Sequence, residues 1–186
     1  MNYITSKINK NIGYFYRARR ILERQELLNL FNSFIEPYIT YCLPVWGGYV
    51  NMDSKTNPIT KALNRIKRIM TFSKRTHIAN SKITLLNLKQ YYTLEMAKTA
   101  HKHMTEPDNS PTVYHSTLTL VSDIHKRHTR TAARINLVLP KYNSNYKKHS
   151  FHYNIATVWN SLPYPVKLKD SKPTFVGAVR RFLSEQ

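Results

Sequence analysis

Carboxylates are the residues from which most nucleotidyl chemistry is built, and this chain has few: Glu23, Glu26, Glu36, Asp53, Glu95, Glu106, Asp108, Asp123, Asp170 and Glu185. Two-metal transfer needs acidic ligands that hold two divalent ions about 3.5 to 4 Å apart. No two aspartates are adjacent, and most of the acids fall at helix starts or in loops. Imidazoles pair as His125 with His128 and His149 with His152, three residues apart in each case. With Cys42 as the one thiol, a zinc site would have to gather all four rings across a loop. The sequence has neither a Gly-rich phosphate loop nor a Gly-x-Ser-x-Gly elbow. These residue types point to binding without catalysis and to no cofactor held by the chain itself.

The cations carry the stronger signal. There are 29 Lys plus Arg against 10 Asp plus Glu, a formal net charge of +19 over 186 residues. Such an excess suits a surface that meets phosphate, so nucleic acid is the expected partner. A membrane partner is not expected, because no run approaches the roughly 20 apolar residues of a span. The first 20 residues lack the apolar core of a secretory signal, and a single cysteine fits a reducing compartment. Both point inside the cell, with nucleus or cytoplasm left open.

Amphipathic helices must position these charges. At about 100° per residue, Ile4, Ile8, Ile12 and Phe15 share one side of a helix, with Lys10, Arg17 and Arg20 roughly opposite. Glu23 and Glu26 suit the start of a second helix, which Pro37 and Pro44 should kink or end and Gly47 with Gly48 should close. Asn57 predicts an N-cap and Pro58 a first helical position for a helix running to about Ser73. Ile59, Leu63, Ile66, Ile69 and Met70 form its apolar stripe, with Lys61, Arg65 and Arg68 across from it. Lys55, Lys67, Lys74 and Arg75 bring the basic residues between Ser54 and Arg75 to seven. A solvated helix face would interleave Glu with Lys three or four residues apart, and this one does not.

A fourth helix is expected from Lys82 to about Met104, bearing Leu85, Leu86, Leu88, Tyr92, Met96 and Ala100. The loop from Thr105 to Pro111 gives a domain boundary, dividing residues 1–106 from residues 107–186. From Thr112 to Ser150 helical period is weak. A short helix from Asn154 to Leu162, ended by Pro163, and a last one from Ser171 to Leu183 with Phe175, Val179 and Phe182 inward complete the chain. Only four glycines are present, which leaves few glycine-closed hairpins. The fold class expected is mostly α: a helical bundle followed by a small, loop-rich α module, or an α+β one.

Four stretches carry a resemblance: "KINKNIGYFYRAR" from Lys7, "LFNSFIEPYITYCLPVWG" from Leu30, "ALNRIKRIM" from Ala62, and "HTR" at His128 with "NLVLPKYNSNYKKHSFHYNIATVWNSLP" after it. In this order, over nearly the whole chain, they resemble the C-terminal part of the reverse transcriptase of non-LTR (LINE-type) retrotransposons, most like the jockey-like lineages.

That resemblance implies a thumb-like helical region and a C-terminal module closed by the box Trp159, Asn160, Ser161, Leu162, Pro163. The fingers and palm, with the Asp-Asp box for the magnesium ions, would lie upstream. The chain would be a noncatalytic fragment of an RNA-directed DNA polymerase, with the parent's palm and an RNA template or RNA/DNA hybrid as partners. Lys10, Arg17, Arg20, Lys61, Arg65, Arg68, Lys74, Arg75, Arg130, Lys147 and Lys148 would contact nucleic acid, and Tyr142 and Tyr146 would stack on single-stranded bases. Trp46, Trp159 and Pro163 are read as structural. A thumb cut from its palm would expose apolar surface around Phe34, Ile39 and Trp46. The alternative is a freestanding basic module that associates with nucleic acid or protein and has no polymerase role.

Overall fold

Isoleucines and a phenylalanine three or four residues apart make the first segment helical. The computed structural model describes residues 2–50, 52, 56–72, 85–124 and 134–185. In it α1 (Asn2–Ala18) buries Ile8, Ile12 and Phe15 and leaves Lys10, Tyr14 and Arg17 in water. Burial of each such side chain contributes roughly 1.5 to 3 kcal/mol. Ile4 is only half-buried, and Arg20 lies beyond the helix end, its N–H donating to the Arg17 carbonyl at 3.1 Å.

Helix α2 (Arg24–Phe34) starts with Glu23 as N-cap, whose N–H donates to the Glu26 carboxylate at 2.8 Å, and it buries Leu27 and Phe31. The two prolines do not kink this helix. Each sits in the first turn of a separate short one, Pro37 in α3 (Glu36–Thr40) and Pro44 in α4 (Leu43–Trp46). Proline fits a first turn because its missing N–H would have no partner there. Ile39, expected to be exposed, is fully buried in α3, which packs on α1 and α2; Phe34 does remain 55% exposed and Trp46 is half-buried.

Asn57 caps α5 (Pro58–Thr71): its Oδ1 accepts the Ile59 N–H at 2.9 Å, and Pro58 opens the helix. The stripe Ile59, Leu63, Ile66, Ile69 and Met70 is buried, and α5 packs against α1 and α2. Phe72, in the left-handed conformation with φ 55°, closes the helix before Ser73.

The fourth helix starts later than expected. Helix α6 (Leu88–Thr105) begins at Leu88 because Asn87 and Gln90 cap it reciprocally: each backbone N–H donates to the other's side-chain oxygen at 2.8 Å. Leu85 and Leu86 are buried ahead of it, outside any helix.

The chain divides into two compact units, residues 1–43 with 51–91 and residues 44–50 with 92–186. This division falls inside α6, whereas composition marks the loop at 105–111. The second unit holds the short helices α7 (Thr112–Thr117), α8 (Val121–Ile124) and α9 (Asn145–Lys148), then α10 (Phe151–Ser161), α11 (Tyr164–Lys167) and α12 (Lys172–Ser184). Helix α10 starts at Phe151, three residues before the expected Asn154, because Ser150 caps it through the Tyr153 N–H at 3.4 Å. In α12 Phe175 and Val179 are buried as expected, but Leu183 takes the place given to Phe182, which is half-buried. The fold is mostly α. Among the described residues the β pairing is one antiparallel bridge, Leu120 with Leu137. No helix among them is long and apolar enough to cross a membrane.

Candidate nucleic-acid interface

In the first unit the sides of α1 and α5 bound a cleft of about 600 Å³, lined by Asn9, Ile12, Gly13, Tyr16, Arg19, Arg65, Arg68 and Ile69. Three guanidiniums and no carboxylate face it. Arg19, Arg65 and Arg68 form no ion pair among the described residues. Guanidinium stays charged at any physiological pH and offers paired donors that match phosphate oxygens. Arg65 is exposed; Arg68 is half-buried, with Nε donating to the Asn64 carbonyl at 3.3 Å. A second hollow of about 570 Å³, lined by Thr5, Ser6, Asn9, Lys10 and Pro58, adjoins the first at Asn9.

The structure sorts the expected contact residues. Lys10, Arg65 and Arg68 come together along the α1/α5 groove. Arg17 does not: it lies on the outer face of α1, its guanidinium 5.1 Å from the Tyr14 ring centre. Arg20 and Lys61 are exposed outside the groove linings. Lys67 turns inward, donating to the Leu85 carbonyl at 3.3 Å, and burial lowers its pKa. Lys74, Arg75 and Arg130 lie outside the described residues, as do His125 and His128. Lys147 and Lys148 are exposed on α9 in the second unit.

Arg19 was not among the expected contacts, yet it sits at the centre of the groove's chemistry. Its guanidinium lies 5.3 Å from the Tyr16 ring centre and 5.0 Å from that of Phe72, and Arg24 approaches Phe72 at 6.0 Å. A sequence signal existed: Arg19 follows Phe15 by four residues and so prolongs the apolar stripe with a cation.

The second unit shows what its tryptophan box does. Trp159 is buried, with Nε1 donating to the Ile135 carbonyl at 2.7 Å and its ring 6.1 Å from that of Phe175. Asn160 accepts the Leu137 N–H and donates to the Leu137 carbonyl, both at 2.8 Å. Lys167 donates to Asn136 Oδ1 at 2.7 Å, and its ammonium lies 5.7 Å from the Trp159 ring centre. Burial first, and the charge of Arg134 second, push the Lys167 pKa down to about 8. Pro163 follows α10 and serves as N-cap of α11. Trp46 is half-buried in this unit.

Of the tyrosines expected to stack on bases, Tyr146 is 73% exposed with its ring 5.4 Å from that of Tyr49, while Tyr142 packs edge-on against Tyr153 at 4.9 Å. Of the four imidazoles that a zinc site would have needed, His149 and His152 lie among the described residues. Among the described residues no group of three His, Cys, Asp or Glu could hold a metal ion. The chain matches no protein-family model, no curated protein and no solved structure.

Proposed function

We propose that the chain binds nucleic acid without catalysing a reaction on it, gripping the phosphate backbone along the α1/α5 groove through Lys10, Arg19, Arg65 and Arg68. The observation that carries this reading is the acid-free groove, where three guanidiniums face one opening with no ion pair among the described residues. Like charges gathered this way repel, and a polyanion relieves that repulsion while releasing its own counterions. Phosphate contacts of this kind fix position and carry no sequence information.

The residue stretches that resemble non-LTR reverse transcriptases give this grip a context: a thumb-like region and C-terminal module holding an RNA template or RNA/DNA hybrid beside a parent palm, which would supply the magnesium site. The freestanding alternative draws support from one observation. Ile39, which a thumb cut from its palm should leave exposed, is fully buried.

The test is binding of labelled RNA/DNA hybrid by the purified chain across a salt series. With about four phosphate contacts, one each from Lys10, Arg19, Arg65 and Arg68, affinity should fall on the order of 10²-fold between 50 and 200 mM salt. Affinity that salt leaves unchanged would overturn the grip.

A further inference from the structure

We infer that the α1/α5 cleft is a site for an unpaired nucleotide, with its base on the Tyr16, Arg19 and Phe72 column and its phosphate on Arg65 and Arg68. The inference rests on the nucleic-acid reading above and adds to the backbone grip a place for one unpaired base.

Three observations carry it. First, the column is open to solvent. Tyr16 is 53% exposed and Phe72 45% exposed, with the Arg19 guanidinium within 5.3 Å of both ring centres. Bases stack on exposed aromatic rings and on guanidinium planes regardless of sequence. A duplex keeps its bases stacked inside and offers such a column nothing. Second, the cleft of about 600 Å³ lies within the range of roughly 300 to 1,000 Å³ typical of sites for small organic ligands. A phosphate alone needs no such hollow.

Third, Gly13 sits in the interior of α1, where glycine weakens a helix relative to alanine, and the fold gives no reason for it. Its φ is not positive, and a Cβ built on it would meet nothing within 4 Å. What a side chain there would occupy is the cleft itself. Gly13 therefore keeps open a space that the folded chain does not fill.

The test compares the full chain with Gly13→Leu and, as control, Gly177→Leu, an equally open glycine in α12. Binding of labelled oligothymidine of about 12 nucleotides, a length in the range of single-strand binders, is measured against a duplex of the same length. Gly13→Leu should lower the ratio of single-strand to duplex affinity about tenfold, the scale of losing one stacked base, while Gly177→Leu leaves it unchanged. Tyr16→Ala should lower the same ratio without narrowing the cleft. If Gly13→Leu and Tyr16→Ala leave the ratio unchanged while both nucleic acids still bind with steep salt dependence, the nucleotide site is overturned and the backbone grip stands. If the unaltered chain binds neither, both readings fall. Circular dichroism of each variant identifies any that does not fold.

Discussion

The side-chain amide of Asn160 bonds both the N–H and the carbonyl of Leu137, at 2.8 Å in each case, across 23 residues of sequence. Leu137 also pairs with Leu120 through the N–H of Val138 to Thr119 and the N–H of Val121 to Asn136, both at 2.9 Å. That bridge uses the neighbours' backbone groups and leaves those of Leu137 pointing the other way. Asn160 thus does for Leu137 what a residue of a further strand would do. Within the box Asn160 holds backbone, and Trp159 anchors the same segment by bonding Ile135 two residues earlier.

Asn160→Leu should destabilise the second unit by about 2 to 6 kcal/mol, because two backbone groups lose their partners at about 1 to 3 kcal/mol each. Asn160→Asp keeps the acceptor for the Leu137 N–H but sets a carboxylate oxygen against the Leu137 carbonyl, so it should restore little of the loss. Urea unfolding followed by tryptophan fluorescence ranks the two; equal stability of Asn160→Leu and the unaltered chain would refute the clamp.

Gly48 and Gly13 predict opposite outcomes for one substitution. A Cβ on Gly48 would collide with the His149 carbonyl, a backbone atom that cannot swing aside. Gly48→Ala should therefore cost about 1 to 3 kcal/mol as overpacking. Gly13→Ala adds a methyl in open space within a helix and should stabilise by about 0.5 to 1 kcal/mol. Thermal melts of the two variants should shift in opposite directions.

Lys167 predicts a pH dependence. Its pKa is about 8 in the folded chain, against an ordinary value near 10.5 when unfolded. Between those values the unfolded chain binds the extra proton, so stability rises with pH from about 8 to about 10.5, and the cost of burying the charge is felt in full below 8. Denaturation midpoints taken at intervals over this window should climb in the unaltered chain relative to Lys167→Met. Parallel curves would mean that the ammonium is not strained by burial.

Arg65→Gln with Arg68→Gln should reduce the salt slope of nucleic-acid binding by about 1.5, since each phosphate contact contributes about 0.7 to 0.9. Lys67→Met should leave the slope alone, because Lys67 is committed to the Leu85 carbonyl. An unchanged slope in the double variant would move the grip away from the cleft.

Much of the first unit was legible because its signals are local. Asn57 followed by Pro58, and apolar residues at three and four spacing in α1 and α5, depend on neighbours within a turn or two. Charge placement was less legible. The hundred-degree rule set Lys10, Arg17, Arg20, Lys61, Arg65 and Arg68 opposite the core alike, yet of these Lys10, Arg65 and Arg68 line the groove, beside Arg19, which it did not single out. Lys67 looks like any other cation of its run until Leu85, 18 residues on, claims it. The start of α6 turned on Asn87 and Gln90, a capping pair with Asn and Gln in place of the usual Ser or Thr and Glu. Asn160 is further out of reach, since nothing near it in sequence names Leu137 as its partner.

The division of residues 44–50 from the segments on either side has a consequence for synthesis. Chains emerge from the ribosome N-terminus first, and domains generally fold in that order. Here the first unit is complete once Tyr91 has emerged, but Pro44–Val50, in its midst, belongs with residues still to be made. The loop around Gly48 must wait for His149 and Asn154, about half the chain later. A nascent chain that reaches only to about residue 91 would carry the helices of the first unit while its Pro44–Val50 loop still lacked His149 and Asn154.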